Sequence, residues 1–313
     1  GGDLGCGVAA LRLEAGAVGL SVELLRRILD EWSRRIPAGE ALRRGAGPGL
    51  DSRLLRAPLS TRSLEHARDR LVHRHFGTLG GGNHFLELDR SVDGDLWLLV
   101  HTGSRGLGSA IAAHHLAVAR AEGQGEPAGL EADTDAGQSC LSDLQGAFDF
   151  AEANRSAIVC EAARVVEELA GLRPDLSSRL DVRHNFVALE EHAGRRLWVH
   201  SKGAIAADSG RRLLIPGSMG TASYLVEGLG EPSSFRSASH GAGRVMTRSE
   251  ARRRIAPSRL ARSMRRVVHD ARRAASLVEE APEAYRDIRE VLGEEADLVV
   301  RRERLEPLLV LKG

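Results

Sequence analysis

The sequence is poor in several chemically useful residues, and each scarcity narrows what the chain can be. Only three cysteines occur in 313 residues, Cys6, Cys140 and Cys160, and no two of them form a CxxC pair. An odd, widely spaced set excludes a disulfide framework and points to a reducing, cytoplasmic setting. No apolar run approaches the roughly 20 residues of a membrane-spanning helix, and no cationic-then-apolar leader opens the chain. Lysine is nearly missing: Lys202 and Lys312 are the only two, and every other one of the 44 basic residues is arginine. Both lysines precede glycine, which marks them either as places that need a compact ammonium or as chance survivors of a coding bias. Asparagine is limited to Asn83, Asn154 and Asn185. The chain starts Gly1-Gly2-Asp3 with no methionine, so an upstream portion is expected to be lacking.

What is present is ordinary in bulk. Hydrophobic residues make up 42% and charged residues 28%, the balance of a soluble globular protein with enough length for a real core. No domain boundary is evident, so residues 1–313 are read as a single catalytic domain. The net charge is +1, yet eleven arginines face only Glu250 and Asp270 between Arg244 and Arg273. That stripe reads either as a solvated helix face or as a surface that attracts nucleic-acid phosphates.

Helical spacing of Val22, Leu25, Ile28, Leu29 and Trp32 predicts a helix over 21–36, stopped by Pro37. Residues 45–52 read as a loop and 64–75 as a second helix. Two buried strands, 85–88 and 96–100, flank an Asp93-Gly94 turn. A helix is expected after Gly108 and another over 144–169, with residues 123–139 a polar surface insertion between them. A hairpin around Ala193-Gly194 joins 185–190 to 196–200, and a short strand covers 213–215. Residues 250–279 are expected to be mostly helical despite Pro257. Pro282 opens a short helix, and 308–311 form a last strand. Helices and strands mix without strict alternation, which predicts an α+β fold of mixed sheets with surrounding helices.

The chemistry lies in glycine loops. Asp3 and Cys6 occur in Asp3-Leu4-Gly5-Cys6-Gly7, His84 follows Gly80-Gly81-Gly82-Asn83, His101 opens His101-Thr102-Gly103-Ser104-Arg105-Gly106, and His184 precedes Asn185-Phe186. Glycine beside ligand-type side chains marks backbone bent for close approach. A thiolate, imidazoles and a carboxylate can hold one divalent ion, or two ions bridged by the sulfur. Ligand softness by itself favours zinc or iron. Two of the three asparagines adjoin these histidines, where an amide can orient a phosphate or ribose. The small-residue loop 216–224 offers amides and hydroxyls for a phosphate but is no Walker A sequence. His240, in Ser239-His240-Gly241-Ala242-Gly243-Arg244, is a candidate ligand, base or covalent nucleophile. The Lys-x-Asp-Gly motif of lysine nucleotidyl-transferring ligases is absent, so a nucleotidyl group would sit on a histidine.

Taken in order, these motifs, with Lys202-Gly203-Ala204 and the terminal Lys312-Gly313, resemble the RtcB family of RNA ligases, especially its shorter bacterial members. The resemblance runs from Asp3 to Gly313, and the His84 and His240 motifs are its most specific parts. It implies an α+β fold with a central metal and nucleotide cleft. The implied activity joins an RNA 3′-phosphate or 2′,3′-cyclic phosphate end to a 5′-hydroxyl end, in tRNA splicing or RNA repair, using GTP and two Mn²⁺ ions. Asp3, Cys6 and His84 match the ligands of one ion, and Cys6, His101 and His184 those of the other. His240 matches the histidine that becomes guanylated. Nucleotide contacts map onto Asn83, His84, Phe85, Leu86, Glu87, His184, Asn185, Pro216, Gly217, Ser218, Met219, Ser223, His240, Gly241, Ala242, Gly243 and Lys312, with Tyr285 a further contact. An activating protein of the archease type is an implied partner, and no membrane is involved.

Two departures stand out. The family carries a longer upstream stretch with a Pro-Asp-Val-His segment, and Ser201 stands where it usually has arginine. The rival readings are a metal-dependent phosphoesterase using the same cluster and an inactive RNA-binding remnant.

Overall fold

A computed structural model describes every residue except 1, 15–18, 46 and 124–127. Its centre is a seven-stranded sheet, all antiparallel, in the order β4-β1-β3-β2-β11-β9-β8. The strands are β1 (Gly7–Leu13), β2 (Phe85–Ser91), β3 (Leu96–Thr102), β4 (Pro174–Arg183), β8 (Arg212–Ile215), β9 (Ser223–Gly228) and β11 (Val299–Lys312). Two small ribbons flank it: β5 (Asn185–His192) with β6 (Arg195–Lys202), and β7 (Ala204–Ala206) with β10 (Ser237–Ser239).

Side chains alternate across the central strands and both faces are buried. Ala9, Leu11, Leu86, Leu88, Leu98, Val100 and Leu309 pack under α1 (Val22–Arg35) and α5 (Asp135–Ala170). Val8, Ala10, Phe85, Trp97, Leu99 and Val310 face the other way, under Ala251, Ile255, Leu260, Met264 and Val267. This two-sided burial explains why 96–100 reads as an unbroken apolar run.

The α+β reading holds, as do the helix capped by Ser21 and the 193–194 hairpin. Residues 250–279 are mostly helical, as expected, though not as one helix. The segment breaks into α6 (Arg248–Arg254), α7 (Pro257–Ser263) and shorter turns. Pro257 cannot continue a helix from behind, and Ala256 before it is extended at φ −74°, ψ 146°, so Pro257 instead starts a new one. The polar insertion ends sooner than expected, because α5 begins at Asp135 with Thr134 as its cap; residues 124–127 of that insertion lie outside the described residues. The remaining helices are α2 (Ser52–Arg56), α3 (Arg62–His75), α4 (Arg105–Ala121), α8 (Ala274–Leu277) and α9 (Ile288–Glu294). The last strand is far longer than 308–311, spanning 14 residues with a register shift near Pro307.

Candidate active site

Antiparallel pairing brings distant segments to one end of the sheet. Gly7, at the start of β1, pairs with Thr102 at the end of β3 and with Arg183 at the end of β4. Phe85, at the start of β2, pairs with both His101 and Lys312. Cys6, His84 and His184 therefore sit just beyond strand ends that meet. Two glycines permit the approach. A side chain at Gly103 would come within 2.2 Å of the Asp3 carboxylate, and Gly5 takes a left-handed φ of 67° against α5. Main-chain bonds close the loops: His184 N donates to Cys6 O at 2.9 Å and Gly5 N to Asn185 O at 2.8 Å.

The ligand-type atoms converge in two groups, Asp3–Cys6–His84 and Cys6–His101–His184, each within 4.8 Å of one another. Cys6 Sγ is 3.3 Å from His101 Nε2 and 3.6 Å from His84 Nε2. His84 Nε2 is 3.0 Å from Asp3 Oδ2, and His101 Nε2 is 3.0 Å from His184 Nε2. His84 Nδ1 donates to Leu79 O at 2.9 Å and His101 Nδ1 to Asn83 O at 3.1 Å. Those bonds fix the proton on Nδ1 and leave both Nε2 lone pairs aimed at sulfur, carboxylate and another imidazole. Several acceptors converge there with few protons to share, an arrangement that a divalent cation stabilises, and the soft and hard donors together fit a transition metal.

The electrostatics agree. Burial pulls His101 well below its ordinary range, and burial with His240 nearby takes His184 to about 3, so both stay neutral, as ligands must be. Burial pushes Asp3 upward, but its contacts with the side chains of His84 and Cys6 and the charge of Arg105 outweigh it and bring the carboxyl down to about 2. Burial and the Asp3 charge push the Cys6 thiol well up, so it becomes a thiolate only with a cation beside it.

Next to this cluster lies a cavity of about 200 Å³. Of the expected nucleotide contacts, Asn83, Phe85, Glu87, Pro216, Gly217, Ser218, Met219, Ser223, His240, Gly241, Ala242, Gly243 and Lys312 line it. The other four lie elsewhere. His84 and His184 belong to the ligand cluster. Asn185 Nδ2 donates to Asp3 O at 3.0 Å. Leu86 points into the core on the opposite sheet face, so only its backbone is near. Loop 216–221 is closed on itself, since Ser218 N donates to Thr221 Oγ1 at 2.7 Å and is already engaged. Of the two lysines only Lys312 is buried; Lys202 is exposed.

His240 follows β10, which pairs with β7 so that Ser239 lies opposite Ala204. Its ring packs against that of His184, with centroids 4.6 Å apart and the planes tilted by 42°. Ala242 N donates to Pro216 O at 3.1 Å, tying the His240 loop to the cavity loop.

Sequence reasoning missed several residues here. Arg244 and Arg248 line the cavity with Tyr285, over a buried Glu280. Behind the loops, Arg155 donates to Gly5 O at 2.7 Å and Thr102 O at 3.0 Å while pairing with Asp181 at 2.6 Å. Asn154, the third asparagine, accepts from Gly77 N and donates to Thr78 O. The scarcity of asparagine was a usable signal for it; Arg155 had none in a chain full of arginine. The 244–273 stripe is partly neutralised by acids from outside it: Arg248 pairs with Glu280, Arg252 with Glu279 and Arg259 with Glu283.

The family profile described as tRNA-splicing ligase RtcB matches residues 51–313. The RNA-splicing ligase RtcB of Escherichia coli K12 is 32% identical across 99% of this chain and 82% of its own length. The RNA-splicing ligase RtcB of Mycobacterium tuberculosis is 32% identical across 82% of the chain and 68% of its own length. The tRNA-splicing ligase RtcB of Nanoarchaeum equitans is 30% identical across 96% and 72%. With the ligand cluster at one sheet end and the histidine loop beside it, the chain belongs to the RtcB family.

Proposed function

We propose that this chain is an RNA ligase that joins a 3′-phosphate or 2′,3′-cyclic phosphate end to a 5′-hydroxyl end, with GTP and two Mn²⁺ ions, through a guanylate carried on His240. One observation carries the reading: the His240 ring packs 4.6 Å from His184 of the ligand cluster, while its own loop lines the adjoining cavity. A group held on that ring lies between the two. The relatives are named RNA-splicing and tRNA-splicing ligases, which supports RNA as the substrate.

Asp3, Cys6 and His84 would hold one cation, and Cys6, His101 and His184 the other. Bound there, they supply positive charge against the negative charge that develops on phosphate oxygens. Burial holds His240 below its ordinary range against a hydrogen bond to the Gly203 backbone, so at neutral pH the ring is uncharged with a free lone pair. His240 attacks the α-phosphorus of GTP; a nitrogen–phosphorus bond forms, the bond to the β-phosphate oxygen breaks and pyrophosphate leaves. Where the RNA end is a 2′,3′-cyclic phosphate, water first adds to phosphorus and the bond to the 2′-oxygen breaks, leaving a 3′-phosphate and a 2′-hydroxyl. An oxygen of the RNA 3′-phosphate takes the guanylate from His240, and the 5′-hydroxyl then displaces GMP and gives up its proton. Lys312, Arg244 and Arg248 offer cationic donors to the nucleotide.

We place the protein in the cytoplasm, because a thiol ligand and three free cysteines suit reducing surroundings. No described helix is long and apolar enough to cross a membrane. Residues 1–313 act as one catalytic unit in this reading, since β1 and β11 from the two ends of the chain both reach the site. An activating protein of the archease type is a proposed partner.

The test is incubation with α-labelled GTP and Mn²⁺, followed by a search for an acid-labile, base-stable adduct. Label from GTP but not ATP is expected. Phosphate release from RNA ends with no adduct would replace the ligase with a phosphoesterase. RNA binding with neither would leave an inactive remnant.

A further inference from the structure

The cationic wall of the cavity is built around an acid that does not line the cavity. Glu280 is 2% exposed and ends the short turn Val278–Glu280. Its Oε1 accepts from Arg248 Nε at 3.0 Å and from Arg244 Nη1 at 3.2 Å. Its Oε2 accepts from the Tyr285 hydroxyl and faces Lys312 Nζ at 3.5 Å. All four partners line the cavity. They arrive from the end of β11, the loop after His240, the first turn of α6 and the turn after Pro282.

The partners are also held to one another. The Arg244 guanidinium lies 4.9 Å over the Tyr285 ring and donates to its hydroxyl at 3.1 Å. Lys312 Nζ donates to Asn83 O at 3.1 Å and lies 5.4 Å from the centre of the Phe85 ring. An ammonium has three donors, so these contacts with Asn83 and Glu280 leave one for a bound molecule. Without Glu280, three cations would converge beside an apolar wall with no shared countercharge, an arrangement burial penalises heavily.

We propose that Glu280 is a positioning residue for nucleotide recognition, whose single carboxylate fixes Lys312, Arg244, Arg248 and Tyr285 as one wall. The proposal rests on the nucleotide reading above for the ligand's identity, but not for the existence of the wall. Burial pulls Lys312 below its ordinary range; Glu280 opposes this most and Glu87 next, while Arg248 adds to the fall. Glu279 pairs with Arg252 and lies 3.9 Å from Arg248 Nε but does not reach Lys312, and Arg273 touches only the backbone here, donating to Lys312 O at 2.7 Å. Losing the Glu280 charge therefore weakens the hold of Lys312 on its proton, and losing the Arg248 charge strengthens it.

The near-absence of lysine makes this measurable. Protein labelled with ¹³C-lysine gives two side-chain signals, from Lys202 and Lys312, which can be titrated separately by NMR. In Glu280→Gln the proton affinity of Lys312 is expected to fall about tenfold, with Lys202 unmoved and Glu280→Asp restoring most of the loss. Arg248 is half-exposed, so Arg248→Gln should fold even where a Glu280 variant does not, and there Lys312 should shift the opposite way. GTP affinity in Glu280→Gln should weaken by about tenfold while Mn²⁺ content stays the same. An unmoved Lys312, or equal shifts at both lysines, overturns the proposal. Unchanged GTP affinity overturns its recognition half. If wild type binds no GTP, the functional reading fails instead, and the two lysine titrations still decide whether Glu280 holds the wall.

Discussion

Cys6 is the one side chain common to both ligand groups, and it is almost fully buried at the start of β1. A thiolate shared by two cations ties their occupancies together, whereas a histidine serves one ion only. Replacing Cys6 with alanine should strip most bound metal, more than His84→Ala or His101→Ala does. Metal analysis of the purified variants checks this, and full occupancy in Cys6→Ala would rule out a bridging sulfur. The residue was legible in sequence because Gly5 and Gly7 flank it. Glu280 was not: a glutamate just past an arginine-rich stretch looks like a surface counterion until its burial is known.

At the scale of elements, helices position loops. Arg155 on α5 is completely buried, pairs with Asp181 and donates to the carbonyls of Gly5 and Thr102. Removing it leaves a carboxylate and two carbonyls without their partner, and breaking such a pair costs about 3–5 kcal/mol. Arg155→Ala should therefore lower the melting temperature by many degrees and release metal with it, read by calorimetry and metal analysis on the same samples. Near His240 the support comes from the end of α9. Glu295 accepts from Ser239 N at 3.0 Å and from the Ser239 hydroxyl, holding β10 where it presents the histidine. Loss of that anchor should leave the metal cluster intact but misplace the nucleophile, and a misplacement of about 1 Å can cost roughly a hundredfold in rate. Glu295→Ala is expected to slow adduct formation by about tenfold or more with unchanged metal content; an unaltered rate would show that the β7–β10 pairing suffices.

The same scale shows what a sequence hides. Hairpin β5–β6 was readable because a tight turn joins its strands and alternation marks them. Strands β1, β4 and β9 were not, because their partners lie far away: Gly7 meets Arg183 and Tyr224 meets Arg304. β1 and β9 are buried along most of their length and β4 is half-exposed without regular alternation, so none of the three shows a clear period of two and pairing identifies them. Helical content over 250–279 was legible, but not that it forms a broken cover over the sheet rather than one rod. The site suffered less. Its loops carry rare residues with glycine, and that pattern survives without knowledge of pairing.

For the molecule as a whole, one sheet end gathers Asp3 and Lys312, residues from opposite ends of the chain, and His240 comes to it on a separate ribbon. That separation makes the nucleophile testable apart from the fold. His240→Ala removes the ring nitrogen that would attack phosphorus; the ring packs against His184 but belongs to neither ligand group, so metal content and melting temperature should stay close to wild type. The guanylated adduct should vanish. RNA already carrying a guanylated 3′-phosphate should still be joined, because only the displacement of GMP by the 5′-hydroxyl remains. Wild type must first show an adduct under the same conditions, and the variant's failure to form one is then specific. If His240→Ala forms as much phosphoramidate as wild type, the nucleophile lies elsewhere. His269 is a poorer candidate on geometry, since its Nδ1 is engaged with Val267 O at 2.9 Å and it does not line the cavity. Joining of pre-activated ends without adduct would separate the chemistry of His240 from that of the metal cluster, and loss of both would mean that the ring also supports the adjoining His184 and hence the cluster itself.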